Sequence, residues 1–131
     1  MKMALITGIS KGIGRAIAAR FLEEGYSVCG TYFRDKTKAE ELVAQYGSKV
    51  ELFGPFDFTN IEDINRFIDV AKTYKYDSLI CSAGIFSEND DFNSFDLDAF
   101  LQTMNCNFYA PLLISVGLKD NINKGGSIVL M

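Results

Sequence analysis

Glycines 8, 12 and 14 bracket a polar turn, Gly8-Ile9-Ser10-Lys11-Gly12-Ile13-Gly14, between an apolar run over residues 3–6 and a helical pattern starting at Ile13. The run has the length and content of a buried strand. A strand, a loop without bulk and a helix start leave unpaired backbone N–H groups and the positive end of the helix dipole facing the turn. The dipole alone is worth ~0.3–1 kcal/mol to an anion placed there. Gly8 turns the chain at positive φ, Gly12 lets a pyrophosphate approach the backbone, and Gly14 lets the helix pack close to the strand. The chemistry of this pattern is phosphate binding; the alternative is an ordinary strand-to-helix turn. The helix that follows is small and amphipathic, with Ile13, Ile17 and Phe21 on one face and Ala16, Ala18 and Ala19 leaving room for close packing.

The remaining elements must hold that turn in place. At 131 residues the chain reads as one domain large enough to bury its own core. Its net charge of −4, spread rather than blocked, argues against a nucleic-acid or anionic-membrane surface. The N-terminal apolar run is too short for a signal peptide, and no run approaches membrane-spanning length, so a cytoplasmic location is expected. With no histidine and no C-x-x-C pair, Cys29, Cys81 and Cys106 read as reduced, buried packing residues rather than zinc ligands or nucleophiles.

In order, the pattern predicts a second strand over residues 27–33 and a helix capped by Thr37, with Ala39, Leu42, Val43 and Tyr46 apolar and Gly47 ending it. A third strand is expected over 50–58, bent at Gly54-Pro55. A third helix follows, capped by Asn60 or Thr59, with Ile61, Ile64, Phe67, Ile68 and Ala71 on its core face. The fourth strand spans 78–81, and residues 84–94 form an acidic loop with Glu88, Asp90 and Asp91. Asp96 caps a long helix reaching about Gly117, whose expected buried side is Leu97, Leu101, Met104, Phe108 and Leu112. A fifth strand covers 126–131. Pro111 has no N–H for the carbonyl of Asn107, the residue four before it, which leaves that carbonyl available to a water.

Thr7-Gly8-Ile9-Ser10-Lys11-Gly12-Ile13-Gly14 resembles the T-G-x-x-x-G-x-G motif of the short-chain dehydrogenase/reductase family. The resemblance extends over essentially the whole chain. It implies that Gly8, Ser10, Lys11, Gly12, Ile13 and Gly14 cradle a dinucleotide. At the tip of the second strand, NAD-specific members carry Asp where this chain has Tyr32, and Arg34 follows shortly. Lys11 matches a basic residue that NADP-preferring members often have. Arg34 and Lys11 converging on a 2′-phosphate favour NADP(H) over NAD(H), although both could be solvated charges and Asp35 could neutralise Arg34. Asp57 and Phe58 match the family's adenine-binding pair, though the carboxylate could equally form a turn before Thr59-Asn60. Cys81-Ser82-Ala83-Gly84 resembles Asn-Asn-Ala-Gly with both asparagines replaced, so Ala83 and Gly84 keep the wall thin beside the cofactor while two bracing side chains are lost. Asn105-Cys106-Asn107-Phe108-Tyr109-Ala110-Pro111 resembles N-x-x-[GA]-[PV], which puts the family's catalytic asparagine, whose backbone holds a relay water, at Asn107. Tyr32 and Lys36 have the family's Tyr-x-x-x-Lys spacing but straddle a strand end on the adenosine side, and are not the catalytic pair.

The expected fold is α/β, a doubly wound, Rossmann-like parallel sheet of strand order 3-2-1-4-5, read as one NAD(P)-binding domain over residues 1–131 and truncated before a sixth strand. The family's Ser-Tyr-Lys set lies beyond the fifth strand, and Ser127 is no substitute. The resemblance therefore implies the NADP(H)-binding portion of an oxidoreductase acting on a small carbonyl or alcohol substrate, inactive as this chain alone. A non-catalytic dinucleotide-binding or sensor module is the alternative, and an interaction domain without nucleotide is a third. The unpaired fifth strand predicts homo-oligomers.

Overall fold

Both faces of a parallel sheet are covered by crossover helices, so its strands must be apolar on both sides. In the computed structural model, which describes residues 1–88 and 91–131, the three inner strands are. Strand β1 (Met3–Thr7) sends Leu5 to one face and Ala4 and Ile6 to the other. Strand β2 (Ser27–Thr31) divides Cys29 from Val28, and β4 (Tyr76–Cys81) divides Leu79 from Ile80. With β3 (Val50–Phe53) and β5 (Ile122–Leu130) they form one parallel sheet in the order β3-β2-β1-β4-β5, as expected.

Helices α1 (Gly12–Glu23) and α2 (Lys36–Tyr46) cover one face through Ala18, Leu22 and Leu42. Helices α3 (Ile61–Ala71) and α5 (Ala110–Leu118) cover the other through Ile64, Phe67, Ile68, Ile114 and Leu118. Phe67 sits at the centre of that side, its ring 6.3, 5.6 and 5.4 Å from those of Phe53, Phe56 and Phe58. Each such fully buried side chain contributes about 1.5–3 kcal/mol. Helix α4 (Leu97–Met104) runs into α5 through a single π turn, Asn105–Tyr109. Among the described residues no helix is long and apolar enough to cross a membrane.

Several boundaries and faces differ from the sequence reading. The second strand stops at Thr31 and the third at Phe53, just before the cis Gly54-Pro55 bond, although the Phe56 N–H still donates to the Tyr32 carbonyl at 3.1 Å. Helix α2 starts at Lys36 with Asp35, not Thr37, in the capping position. The fully buried residues of α1 are Gly14, Ala18 and Leu22; of the expected stripe Ile17 and Phe21 pack half-buried against the same core, while Ile13 is 63% exposed. The close approach at Gly14 turns that row toward the sheet. Ile61, in the first turn of α3, is 38% exposed. In the long helix Leu97, Leu101, Phe108 and Leu112 face outward and Met104 is half-buried, while Cys106, Ala110, Pro111, Ile114 and Leu118 are buried. In the π turn the Ala110 N–H donates to the Asn105 carbonyl five residues back, which rotates the face downstream. Strand β5 begins at Ile122, not 126, with an irregular register beside Tyr76 and Ser78, and Ser127 is within it, its hydroxyl 3.1 Å from that of Ser78. The acidic-loop expectation at Asp90 lies outside the described residues.

The three cysteines are buried and free. Burial pushes the Cys29 thiol up to about 12, helped by the Glu51 charge, and that of Cys81 up to about 11, so both pack as neutral groups. Asp77 ties the edge of three strands: its carboxylate accepts from the Met3 N–H at 2.8 Å and from Asn123 Nδ2 at 3.1 Å. Those bonds, the first above all, hold its carboxyl below the usual range. Because the folded-state value is lowered, the contribution is complete above the unfolded value of about 3.9 and lost as pH falls through the folded one. Asp77→Asn should cost about 1 kcal/mol near neutral pH, a charge-assisted bond discounted for solvent. In thermal melts the gap from the unsubstituted chain should close below about pH 4; a gap independent of pH would contradict this role.

Candidate functional site

The turn after β1 is held from two sides. The Gly8 N–H donates to the Thr31 hydroxyl at 2.9 Å, and the Ile9 N–H to the Thr31 carbonyl at 3.0 Å, fastening the loop to β2. The Thr7 hydroxyl accepts from both the Ser82 and Ala83 N–H groups, each at 3.0 Å, fastening it to the end of β4. Sequence reasoning missed Thr7 and Thr31 as site residues. The available signal was a β-branched hydroxyl ending each of two adjacent strands, and Thr7 braces the very place where two asparagines are missing.

Helix α1 begins with its amides open. Lys11 occupies the capping position in an extended conformation, no side chain caps the first turn, and no acidic residue lies in that turn. In α3 and α4, by contrast, Asn60 accepts from the Glu62 N–H at 2.8 Å and Asp96 from the Ala99 N–H at 3.2 Å. The turn is neither plugged nor crowded. A Cβ on Gly14 would lie 2.0 Å from the Gly8 carbonyl oxygen, so helix and strand meet without room for a side chain. Gly12, at φ 61°, has no atom within 4 Å of where a Cβ would be.

This turn opens on a cleft of about 1130 Å³ at the C-terminal ends of the strands. Gly8, Ser10, Lys11, Ile13 and Gly14 line it from the loop, Arg34 from beyond β2, Asp57 and Phe58 from beyond β3, and Ala83, Gly84 and Asn107 from the far side. Of the residues expected from sequence, Gly12, the first residue of α1, alone is outside the lining. A glycine-lined cradle, uncapped amides and two nearby cations fit a dinucleotide phosphate.

On the β2 side, Arg34 stacks over the Phe33 ring at 5.4 Å, and the Lys11 ammonium lies 3.6 Å from the Asp35 carboxylate. Asp35 thus pairs with Lys11, whereas the sequence suggested Arg34. Tyr32 is buried, and Lys36 pairs with Glu40 at 3.6 Å, so the two do not form a catalytic pair. Asp57 Oδ1 accepts from the Thr59 N–H at 3.0 Å and the Thr59 hydroxyl at 2.7 Å, so the turn-forming role is realised within the cleft wall.

At the other end Asn107 grips Ile85 by both amide atoms: Oδ1 accepts from the Ile85 N–H at 2.8 Å and Nδ2 donates to its carbonyl at 2.5 Å. Asn105 Nδ2 donates to the Thr59 carbonyl at 2.9 Å, joining the π turn to the β3 side. Cys106 also lines the cleft, but burial, then the Asp57 charge, push its thiol up to about 11, which keeps it neutral and poorly nucleophilic.

The two helix-start glycines should separate folding from ligand access. Gly14→Ala drives a methyl into backbone and should cost about 3 kcal/mol, the upper end of overpacking. Gly12→Ala meets no atom and should cost only the left-handed backbone penalty of about 1–2 kcal/mol. Chemical denaturation measures both; equal losses would mean that the close approach at Gly14 does not hold the helix.

The family model described as short chain dehydrogenase matches residues 2–131. The chain is 34% identical over 133 residues to the cyclic-di-GMP-binding biofilm dispersal mediator protein of Escherichia coli strain K12, covering 99% of this chain and 52% of that one. It is 38% identical over 92 residues to 3-oxoacyl-(acyl-carrier-protein) reductase FabG of Staphylococcus epidermidis, covering 67% of this chain and 38% of that one. Among solved structures, a short chain dehydrogenase from Burkholderia cenocepacia J2315 in complex with NADP superposes with a TM-score of 0.86 at 31% identity, over 97% of this chain and 53% of that one. The chain spans about half the length of that structure and of the Escherichia coli relative. With the uncapped glycine turn and the 3-2-1-4-5 sheet already on the same footing, the match over nearly every residue establishes that the chain belongs to the short-chain dehydrogenase family of oxidoreductases.

Proposed function

We propose that residues 1–131 form a single domain that is the NADP(H)-binding portion of an oxidoreductase acting on a small carbonyl or alcohol substrate. The reading rests on one observation above others: the first turn of α1 presents uncapped amides to the cleft. When bound, a nicotinamide cofactor supplies or accepts a hydride. The amides following Gly8 hold the diphosphate, and Lys11 and Arg34 take the 2′-phosphate. Asp57 Oδ2 accepts from the adenine amino group, its other oxygen being engaged by Thr59. Ala83 and Gly84 give the ribose a thin wall. Asn107 spends its side chain on Ile85 and offers its backbone carbonyl, denied an α-helical donor by Pro111, to a water that passes protons. The NADP bound to the Burkholderia cenocepacia protein supports the cofactor choice.

A second reading, a dinucleotide sensor without catalysis, draws support from the likeness to the Escherichia coli mediator. Calorimetric titration of the chain with NADP⁺, NAD⁺ and cyclic-di-GMP separates the two. NADP⁺ should bind more tightly than NAD⁺, and Arg34→Met should weaken NADP⁺ about tenfold, as loss of a charge-assisted contact does, with a smaller effect on NAD⁺. Binding of cyclic-di-GMP in preference to both would favour the sensor, and heat from none of the three would leave an interaction domain.

Self-association belongs to the same proposal. Among the described residues strand β5 is paired only on its β4 side, and Leu97, Leu101, Phe108 and Leu112 face outward from α4 to α5. Light scattering should report dimers or larger; a monomer at high concentration would contradict it.

A further inference from the structure

The two ends of the cleft differ in charge. Among the described residues its basic side chains, Lys11 and Arg34, both lie on the side of the glycine turn and β2. The far end is lined by Ile85, Phe86, Gln102, Cys106, Asn107 and Met131, which bring no charged side chain. Burial, then the Asp57 charge, keep the Cys106 thiol neutral. Asn107 already engages both the N–H and the carbonyl of Ile85, so that peptide is satisfied within the protein and the wall it forms is largely hydrocarbon. Phe86 adds an aromatic face that is 84% exposed, in a cavity wall where a ligand can cover it.

The chain around this end carries one sign of charge. No lysine or arginine occurs between Lys75 and Lys119, while Glu88 follows Phe86 by two residues and Asp98 stands one helical turn before Gln102 in α4. Asp91 and Asp96 come between them, their carboxylates accepting from the Ser94 and Ala99 N–H groups.

We propose that this end of the cleft takes an uncharged carbonyl or alcohol substrate borne on an apolar group, and that the neighbouring carboxylates disfavour anionic substrates. The proposal rests on the oxidoreductase reading above and narrows its substrate class. An apolar group laid against Ile85 and Phe86 removes their hydrocarbon from water. A substrate carboxylate in the same place loses hydration with no cation to pair with, in the field of the acids on the adjoining loop and helix.

The test is saturation-transfer NMR on the chain in the presence of NADP⁺, whose binding calorimetry establishes first. The probes are acetophenone and 4-acetylbenzoate, which differ by one carboxylate. Acetophenone should bind about fivefold more tightly or better. Phe86→Ala should weaken it about threefold or more while changing NADP⁺ by less than about twofold. Glu88→Gln combined with Asp98→Asn should strengthen 4-acetylbenzoate about two- to threefold and leave acetophenone unaltered, as removal of exposed like charges does. All three substituted side chains are exposed, and far-UV circular dichroism melts establish that each variant is folded. Equal or tighter binding of the carboxylate, no binding of acetophenone, or indifference to Phe86→Ala would overturn the proposal and leave the cofactor reading intact. An unchanged preference in the double variant would do the same. A chain that takes up no NADP⁺ would overturn both.

Discussion

The close contact between the start of α1 and the end of β1 governs the rest of the molecule. Gly14 lies against the Gly8 carbonyl at a distance that admits no Cβ, so the helix start sits directly on the turn that follows the strand. Two consequences follow from that single approach. The row Gly14, Ala18 and Leu22 is turned onto the sheet, and the first-turn amides are left facing a cleft with no side chain to satisfy them. A buried helix end without partners would be costly; an end that opens on a solvent-filled cleft is tolerated, and is available to a ligand.

The parallel sheet brings the rest of the site to that point. In such a sheet all strands end on one side, so loops far apart in the chain gather there. The strand tips are then tied to one another by hydroxyls: Thr31 to the backbone of Gly8, and Thr7 to that of Ser82 and Ala83. Asn107 and Asn105 extend the same lacing to Ile85 and Thr59. The cleft is thereby framed on backbone held by side chains of modest size, which suits a long phosphate-bearing ligand lying across several strands.

The charges at the cleft mouth are less settled than the frame. Lys11 and Asp35 pair with each other while Arg34 lies on an aromatic ring, an arrangement of exposed groups each worth little alone. Such groups rearrange at small cost. The proposed cofactor choice therefore rests on the electrostatics of the cleft mouth, and the proposed phosphate site on its backbone.

Alternating strand and helix signals, the glycine spacing, and the residues of four separate loops were legible in the amino-acid order, because each depends on local chemistry: apolar runs, missing side chains, a proline without its N–H. The strand order and all but Gly12 of the expected cleft lining follow from those same signals. Which way a helix faces was decided elsewhere. The stretch Ala110–Leu118 is apolar nearly all round, so periodicity could not distinguish its core side from its outer side, and the π turn before Pro111 offsets its face from the one carried down from α4. The roles of Thr7 and Thr31, and the turn of Asp35 toward Lys11 rather than Arg34, likewise required the fold. Each is a contact between residues that only the pairing of strands, and the approach of α1 to the sheet, bring within hydrogen-bonding or Coulombic reach.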